Sequence, residues 1–316
     1  MSVLPVVDMK DPEAPKIIAK ACKESGFFYL ENHGIPQEFF LEVFEQSRAF
    51  FSLPLEDKMA VLADKKNRGY TPMHEEVLDP DNQAKGDTKE GYYVFREIEK
   101  GSEEATKPLR GPNQWPNDAL VPGWKKTMTR YFDRMHALSV ELMGLLATGL
   151  GLDPAFFAGF FSSSMSTLRL LHYSPEVVSA PEKGVLGTGS HADYGLMTLL
   201  ATDEVPGLQV RLKEEWFDVQ PRPGAFICNP GEMLQRWTND GLKATVHRVV
   251  NKVGRERYSI PFFCEPDFET EVVCIPQFCS ESNPAKYPPT SSGLFLMEKY
   301  HQTHQEFTAK QQDDRR

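Results

Sequence analysis

The sequence predicts a mainly β core flanked by helices (α+β), and three observations carry that expectation. Beyond the break at Asp153 and Pro154, seven short β-type segments follow one another at 167–173, 196–201, 207–212, 216–219, 225–229, 245–250 and 258–264. Gly, Pro and Asn turns separate them, the spacing of an all-β sandwich or barrel. Ahead of the break, apolar residues recur at helical spacing over 36–51 and 124–150. The 24 prolines are scattered along the chain, as expected of many short elements joined by firm turns.

The elements follow in order. Residues 4–8 form a short apolar run that reads as a strand. A helix is expected over 11–25, with Asp11 as its cap and Pro12 in its first turn. The aromatic run 26–30 (GFFYL) reads as a strand closed by the turn Asn32-His33-Gly34. In the 36–51 helix, Phe39, Phe40, Val43, Phe44, Phe50 and Phe51 form a stripe to be buried. Two aromatic segments, 68–70 and 92–95, flank the polar stretch 79–89. In the longest helix Trp124, Met128, Tyr131, Phe132, Met135, Leu138, Leu142, Leu145 and Leu146 follow the i, i+3, i+4, i+7 rule, a packing stripe rather than a cofactor box. A last helix is expected over 293–307. The expected organisation is an N-terminal region, 1–120, packed on 121–316, which holds the long support helix, the β core at about 165–275 and the C-terminal helix, all as one compact unit.

Composition sets limits on function. With 316 residues, 40% hydrophobic and 25% charged, the chain is of ordinary globular make-up, neither disordered nor fibrous. A net charge of −10, from 45 acidic against 35 basic residues, disfavours nucleic-acid binding. No run approaches the length of a membrane span. The opening residues lack a secretory pattern. Five cysteines without a CxxC pair fit reduced thiols in a cytoplasmic protein. The default oligomeric state is a monomer.

Candidate chemistry begins with His-x-Asp/Glu pairs. Eight histidines and 45 acids in 316 residues predict about one such pair by chance, and the chain holds three: His74/Glu76, His191/Asp193 and His304/Glu306. Context must choose. His304 lies on a charged C-terminal helix and His74 in a polar connection, so both read as solvated surface. His191 and Asp193 follow Gly184, Gly187 and Gly189 and precede the strand-like LMTLLA. On an extended segment i and i+2 share a face, so both can reach one metal, although a turn with an Asp cap is an equal reading. His247, in ATVHRVV, shifts the balance, because a histidine among valines is costly to bury unpartnered. Two histidines and a carboxylate suit non-haem Fe(II) with open coordination positions; Zn²⁺ accepts the same set. Arg257 and Ser259, in the chain's one Arg-x-Ser, share a strand face ahead of the apolar IPFF and suit a buried carboxylate.

With these residues in place the sequence resembles the 2-oxoglutarate- and Fe(II)-dependent dioxygenases of the isopenicillin-N-synthase-like branch, which includes plant hormone and flavonoid oxygenases and aminocyclopropane-carboxylate oxidases. The likeness covers nearly the whole chain. GFFYLENHGIP, FFSLPLEDK, GLQV, WFDVQPRPGAFICNPGEMLQRWTNDGLKATVHRV and RYSIPFF follow the family's order and spacing. The resemblance implies a double-stranded β-helix (jelly roll) core. It implies His191, Asp193 and His247 as iron ligands, and Arg257 and Ser259, assisted by the Tyr173 hydroxyl, as holders of the distal carboxylate of 2-oxoglutarate. It also implies O₂ as oxidant, ascorbate as accessory reductant, and a hydroxylation or desaturation of a small organic substrate that releases succinate and CO₂. Tyr70, Tyr92, Tyr93 and Phe263 are the implied pocket-mouth residues, with Arg68 as an anchor for an acidic substrate. Two departures stand out: Leu171 occupies the place of a family asparagine that contacts the co-substrate, and Asp240-Gly241 replaces the usual Asn-Gly.

Three rival functions follow from the same residues. An Fe(II) oxidase of this fold would use no 2-oxoglutarate. A Zn²⁺ hydrolase would need a general base close to the metal, for which Glu232 is the one acid to nominate. A non-enzymatic binding protein would have no need for all five positions.

Overall fold

The structure, a computed structural model, describes residues 4–252 and 254–304. Its elements run β1 (Val6–Asp8), α1 (Ala14–Glu24), β2 (Phe28–Glu31), α2 (Gln37–Phe51), α3 (Leu55–Met59), β3 (Gly69–Thr71), β4 (Glu90–Phe95) and α4 (Trp124–Gly149). The second half follows with β5 (Thr167–Tyr173), β6 (Thr188–His191), β7 (Met197–Thr202), β8 (Leu208–Leu212), β9 (Glu215–Asp218), β10 (Phe226–Pro230) and α5 (Glu232–Trp237). It closes with β11 (His247–Val249), β12 (Arg257–Cys264), β13 (Glu271–Val272), β14 (Thr290–Ser291) and α6 (Ser292–Thr303).

The strands form an eight-stranded sheet, β1-β2-β10-β7-β12-β5-β4-β3, and a four-stranded sheet, β6-β11-β8-β9, with a small β13-β14 pair. Both sheets are open, so the core is a jelly-roll sandwich and not a closed barrel. Strands from the first half extend both edges of the large sheet, β1 and β2 on one side, β4 and β3 on the other. Between the sheets, Leu208 and Val210 of β8 meet Phe27, Tyr29 and Ile227.

The helical layer covers the outer face of the large sheet. All six residues of the expected α2 stripe are buried. In α4, Leu145 is only partly covered, and Met143 takes the fully buried position instead. Phe132 of α4 meets Phe262 of β12 edge-on, ring centroids 5.4 Å apart. This packing settles which way β12 faces. Phe262 looks out to the helices, and by strand alternation Arg257, Ser259, Pro261 and Phe263 look inward.

Several local expectations differ from the structure. Asp11 does not cap α1; its carboxylate accepts the Glu13 amide at 2.8 Å in a turn one step earlier. α3, α5 and β6 had no clear sequence signal, since each is short and TGSH is poor in β-formers. β6 exists through its pairing with β11, His247 lying opposite His191. α6 begins at Ser292, capped by Ser291, and residues 305–307 of the expected last helix lie outside the described residues.

α1 and α4 approach closely at Gly149, where an added Cβ would overlap the Pro15 carbonyl oxygen and press on Ala19. Alanine in a helix interior normally gains about 1 kcal/mol over glycine. Here the overlap wins, so Gly149→Ala should lower stability by about 1–3 kcal/mol in urea denaturation.

Candidate metal and co-substrate site

One cavity between the sheets is lined by side chains from β4, β5, β6, β7, β10, β11 and β12, together with Phe27 and residues near α6. His191, Asp193 and His247 meet on its wall, and their ligand-capable atoms lie within 4.8 Å of one another. Nε2 of His191 is 3.5 Å and Nε2 of His247 3.6 Å from Oδ1 of Asp193. Nδ1 of His191 lies 2.9 Å from the Gly189 carbonyl, and Nδ1 of His247 lies 3.2 Å from that of Thr245. A carbonyl only accepts, so each Nδ1 carries the proton and each Nε2 lone pair faces the cavity. Asp193 is oriented in the same manner. Thr198 donates to its Oδ2 at 2.5 Å and Asn229 at 2.7 Å, which leaves Oδ1 toward the histidines.

The charges reflect this convergence. Burial works against ionisation of Asp193, yet His247 and His191 outweigh it and hold the carboxyl well below the usual range. Burial, helped by His191, pushes His247 down to about 4. Burial works against protonation of His191, but its bond to Asp193 outweighs that and raises it; the neutral His247 and the ionised Asp193 match the states a divalent metal requires. The donor set, two imidazole nitrogens and one carboxylate oxygen, fits Fe(II) with positions left open.

Along β12 from the triad, Arg257 is 1% exposed, with Nη1 donating to Ser259 Oγ at 3.3 Å and Nε to the Val205 carbonyl at 3.3 Å. Its guanidinium lies over the Tyr173 ring, 4.9 Å from the centroid, and the Tyr173 hydroxyl pairs with Thr188 Oγ1 at 3.0 Å. Arg257 pairs across the sheet with Tyr173, and Ser259 with Leu171. Among the described residues no carboxylate lies within ion-pair distance of Arg257. A buried guanidinium so placed suits an incoming carboxylate.

The sequence-predicted substrate residues separate by strand parity. Tyr93 and Phe263 line the cavity; Tyr70, Tyr92 and Arg68 do not. Tyr92 neighbours Tyr93 on β4 and points the opposite way, into Phe50 and Trp124. Tyr70 donates to Glu90 at 2.5 Å. Arg68 is buried over the Phe95 ring and donates to the Arg96 and Leu109 carbonyls and to Asn113. Glu232, the candidate hydrolytic base, is outside the cavity and ion-paired to Lys299.

Sequence reasoning missed a buried polar cluster on the same cavity. His304 is no surface residue: it is 1% exposed, with Nε2 2.8 Å from the Tyr93 hydroxyl and 3.4 Å from Glu76. Glu76 is also buried, 2.8 Å from Arg169 and 2.6 Å from Lys89, which pairs in turn with Asp87. Only His74 of those two pairs is exposed; Glu306 lies outside the described residues. Asn229 and Thr198 were missed as well. Their one signal was polarity at inward positions of otherwise apolar strands.

Asn229→Ala removes a donor that orients Asp193, and should weaken divalent-metal binding roughly 10-fold in a metal titration. A second expectation concerns Glu76. Burial alone would raise its carboxyl, but Arg169, Lys89 and His304 outweigh it and hold it well below its ordinary 4.5. Its stabilising contribution is therefore complete above that ordinary value and is lost as pH falls through the depressed one. Glu76→Gln should cost about 3–5 kcal/mol at neutral pH. Urea denaturation should show that cost shrinking as the solution is acidified.

Comparison with known proteins places this site in a family. Residues 4–118 match the family model described as the non-haem dioxygenase in morphine synthesis N-terminal region, and residues 164–266 match that of the 2OG-Fe(II) oxygenase superfamily. The chain is 37% identical over 285 residues to the 2-oxoglutarate-Fe(II) type oxidoreductase hxnY of Emericella nidulans, covering 86% of this chain and 79% of that one. It is similar to the crystal structure of a full-length Neurospora crassa protein in complex with alpha-KG and thymine, with 35% identity, a TM-score of 0.83, and coverage of 94% and 96%. The structure of JOX2 in complex with 2OG, Fe and JA is also similar, with 28% identity, a TM-score of 0.78, and coverage of 93% and 84%. With the motifs, the jelly-roll core and the His-Asp-His cavity in agreement, the chain belongs to the 2-oxoglutarate/Fe(II)-dependent oxygenase superfamily and is an oxidoreductase that uses Fe(II), 2-oxoglutarate and O₂.

Proposed function

We propose that His191, Asp193 and His247 hold the Fe(II), that Arg257 and Ser259 hold the distal carboxylate of 2-oxoglutarate beside Tyr173, and that Tyr93 and Phe263 border the place of a small organic substrate. The observation that carries this reading is the convergence of two Nε2 atoms and one Asp193 oxygen in the cavity that also receives the buried, carboxylate-free Arg257. The bound iron and co-substrate supply the oxidising chemistry, with succinate and CO₂ as co-products.

The chain's own residues do the positioning. Gly189 and Thr245 carbonyls fix the imidazole tautomers, and Thr198 and Asn229 fix the carboxylate, so the ligands need little rearrangement on binding. Phe27, Leu200, Leu208 and Val249 give the site apolar walls, which strengthen the pairing of Arg257 with a carboxylate by excluding water. Tyr173 contributes its ring face beneath the guanidinium and a hydroxyl already oriented by Thr188. A small-molecule substrate accords with the thymine and JA in the two structures compared above. The oxidase reading without 2-oxoglutarate is disfavoured, because both of those structures contain 2-oxoglutarate.

Anaerobic titration of the Fe(II)-loaded protein with 2-oxoglutarate should produce a visible metal-to-ligand charge-transfer band. His191→Ala should abolish it. Arg257→Ala should retain the band but raise the 2-oxoglutarate concentration needed by about 100-fold, the loss expected when one partner of a buried charge pair is removed. Iron bound tightly without a band would overturn the co-substrate assignment.

A further inference from the structure

The cavity extends past the metal-ligand cluster to a second polar end. β12 continues its alternation one step beyond Phe263, so Glu265 faces the same cavity at the opposite end of the strand from Arg257. Its neighbours there include Tyr194, Phe263 and Tyr300.

The other ionisable groups on this end are engaged. Lys89 sits between Asp87 and Glu76, Arg169 pairs with Glu76 and covers the Tyr93 ring, and His304 meets both Tyr93 and Glu76. Arg169 Nε has no hydrogen-bond partner, but its charge is compensated by Glu76. Glu265 differs from all of these. It is 3% exposed, its Oε2 is buried without a hydrogen-bond partner, and among the described residues no cation lies within ion-pair distance of it. Burial, with Asp193 nearby, pushes its carboxyl well above the ordinary 4.5, toward the neutral form. Leaving even a neutral buried acceptor unmet costs about 1–3 kcal/mol, a cost a purely structural position has no reason to keep.

Nor is this carboxyl loosely placed. The Glu265 amide donates to Ser166 Oγ at 3.0 Å, and its carbonyl accepts from Ser164 Oγ at 2.7 Å and Ser166 Oγ at 3.3 Å. Gly195 lies against the carboxyl so closely that any Cβ there would overlap both oxygens. The backbone of Glu265 is thus held by two serine hydroxyls, its carboxyl is accommodated by a glycine, and the residue lines the cavity.

On the reading of the cavity proposed above, we propose that Glu265 is a specificity-determining residue whose carboxyl accepts a hydrogen bond from a substrate N–H group. A substrate presenting a carboxylate at that point is disfavoured, because the cations on this end, Lys89 and Arg169, are already compensated by Asp87 and Glu76. The substrate class is therefore a small N–H-bearing molecule rather than an organic acid.

Two probes of equal ring size test this: benzamide, which offers an N–H donor, and benzoate, which offers a carboxylate. Calorimetric titration into the anaerobic Fe(II)·2-oxoglutarate holoenzyme should give benzamide roughly 10-fold tighter binding than benzoate. Glu265→Leu should weaken benzamide about 10-fold without weakening benzoate, and Glu265→Gln, which keeps a neutral acceptor, should hold benzamide within about 3-fold of wild type. The leucine variant should also melt no lower than wild type without probe, because it removes an unmet buried group. Benzoate binding as tightly as benzamide, no benzamide binding, an unchanged ranking in Glu265→Leu, or a marked fall in its melting temperature would each overturn the proposal. The charge-transfer band is recorded in the same samples. Its absence in wild type would count against the Fe(II)/2-oxoglutarate reading, while the probe ranking on iron-free protein would still decide the role of Glu265.

Discussion

β12 is buried on both faces, and that constraint organises the molecule. Phe262 meets the helical layer while Arg257, Ser259, Pro261 and Phe263 reach the cavity. A slip of one residue would exchange the two sets, turning Arg257 and Ser259 toward the helical layer and bringing Tyr258 and Ile260 to the co-substrate positions. The helices α2 and α4 are therefore more than a cover. Their aromatic stripes fix the register of the strand that carries Arg257 and Ser259 and leads into Glu265.

A second constraint runs from the ion cluster to the metal ligands. Asp87 pairs with Lys89 and also accepts the Gly189 amide at 2.8 Å, while the Gly189 carbonyl accepts from His191. One residue's backbone thus joins the cluster to a ligand histidine. Buried ion pairs contribute little net stability, because desolvation offsets most of their attraction. Their effect here is geometric: Glu76, Asp87 and Lys89 hold the connection between β3 and β4 against β6, whose own sequence, TGSH, has little tendency to form a strand.

How much of this was legible in the sequence depends on whether a signal was periodic or contextual. The stripes of α2 and α4 and most of the strands were legible, because burial of one face imposes a repeat. The motifs around His191, Asp193, His247, Arg257 and Ser259 pointed to the residues that the fold then brings together. Tyr70 and Tyr92 show the limit. Both are aromatic and close in sequence to Tyr93, yet the pleat of β4 sends Tyr92 to the helices, and parity could not be assigned before the strand's partners were known. Glu76 and His304 show another. Residues in polar segments read as solvated, but they are buried here because segments far apart in sequence, the 76–89 connection and the end of α6, meet over Arg169. Glu265 left a readable sign as well: it stands at even spacing from Arg257 and Ser259, an acid just past an apolar strand.

Leu171 brings these points together. By the family resemblance it stands where an asparagine is common, and it lies across the sheet from Ser259 and next to Gly91. There it packs with Tyr173 and Val249. A Cβ on Gly91 would come within 3.2 Å of its Cδ2, so the leucine fills the available space closely. Val249 and Gly91 offer an amide at this position no side-chain partner, and the Tyr173 hydroxyl is already paired with Thr188. On the proposed reading, this chain has exchanged a polar contact near the metal for apolar closure of that wall. Retention of the co-substrate then rests more heavily on Arg257, Ser259 and Tyr173, whose geometry is held by β12 and β5 rather than by a mobile side chain.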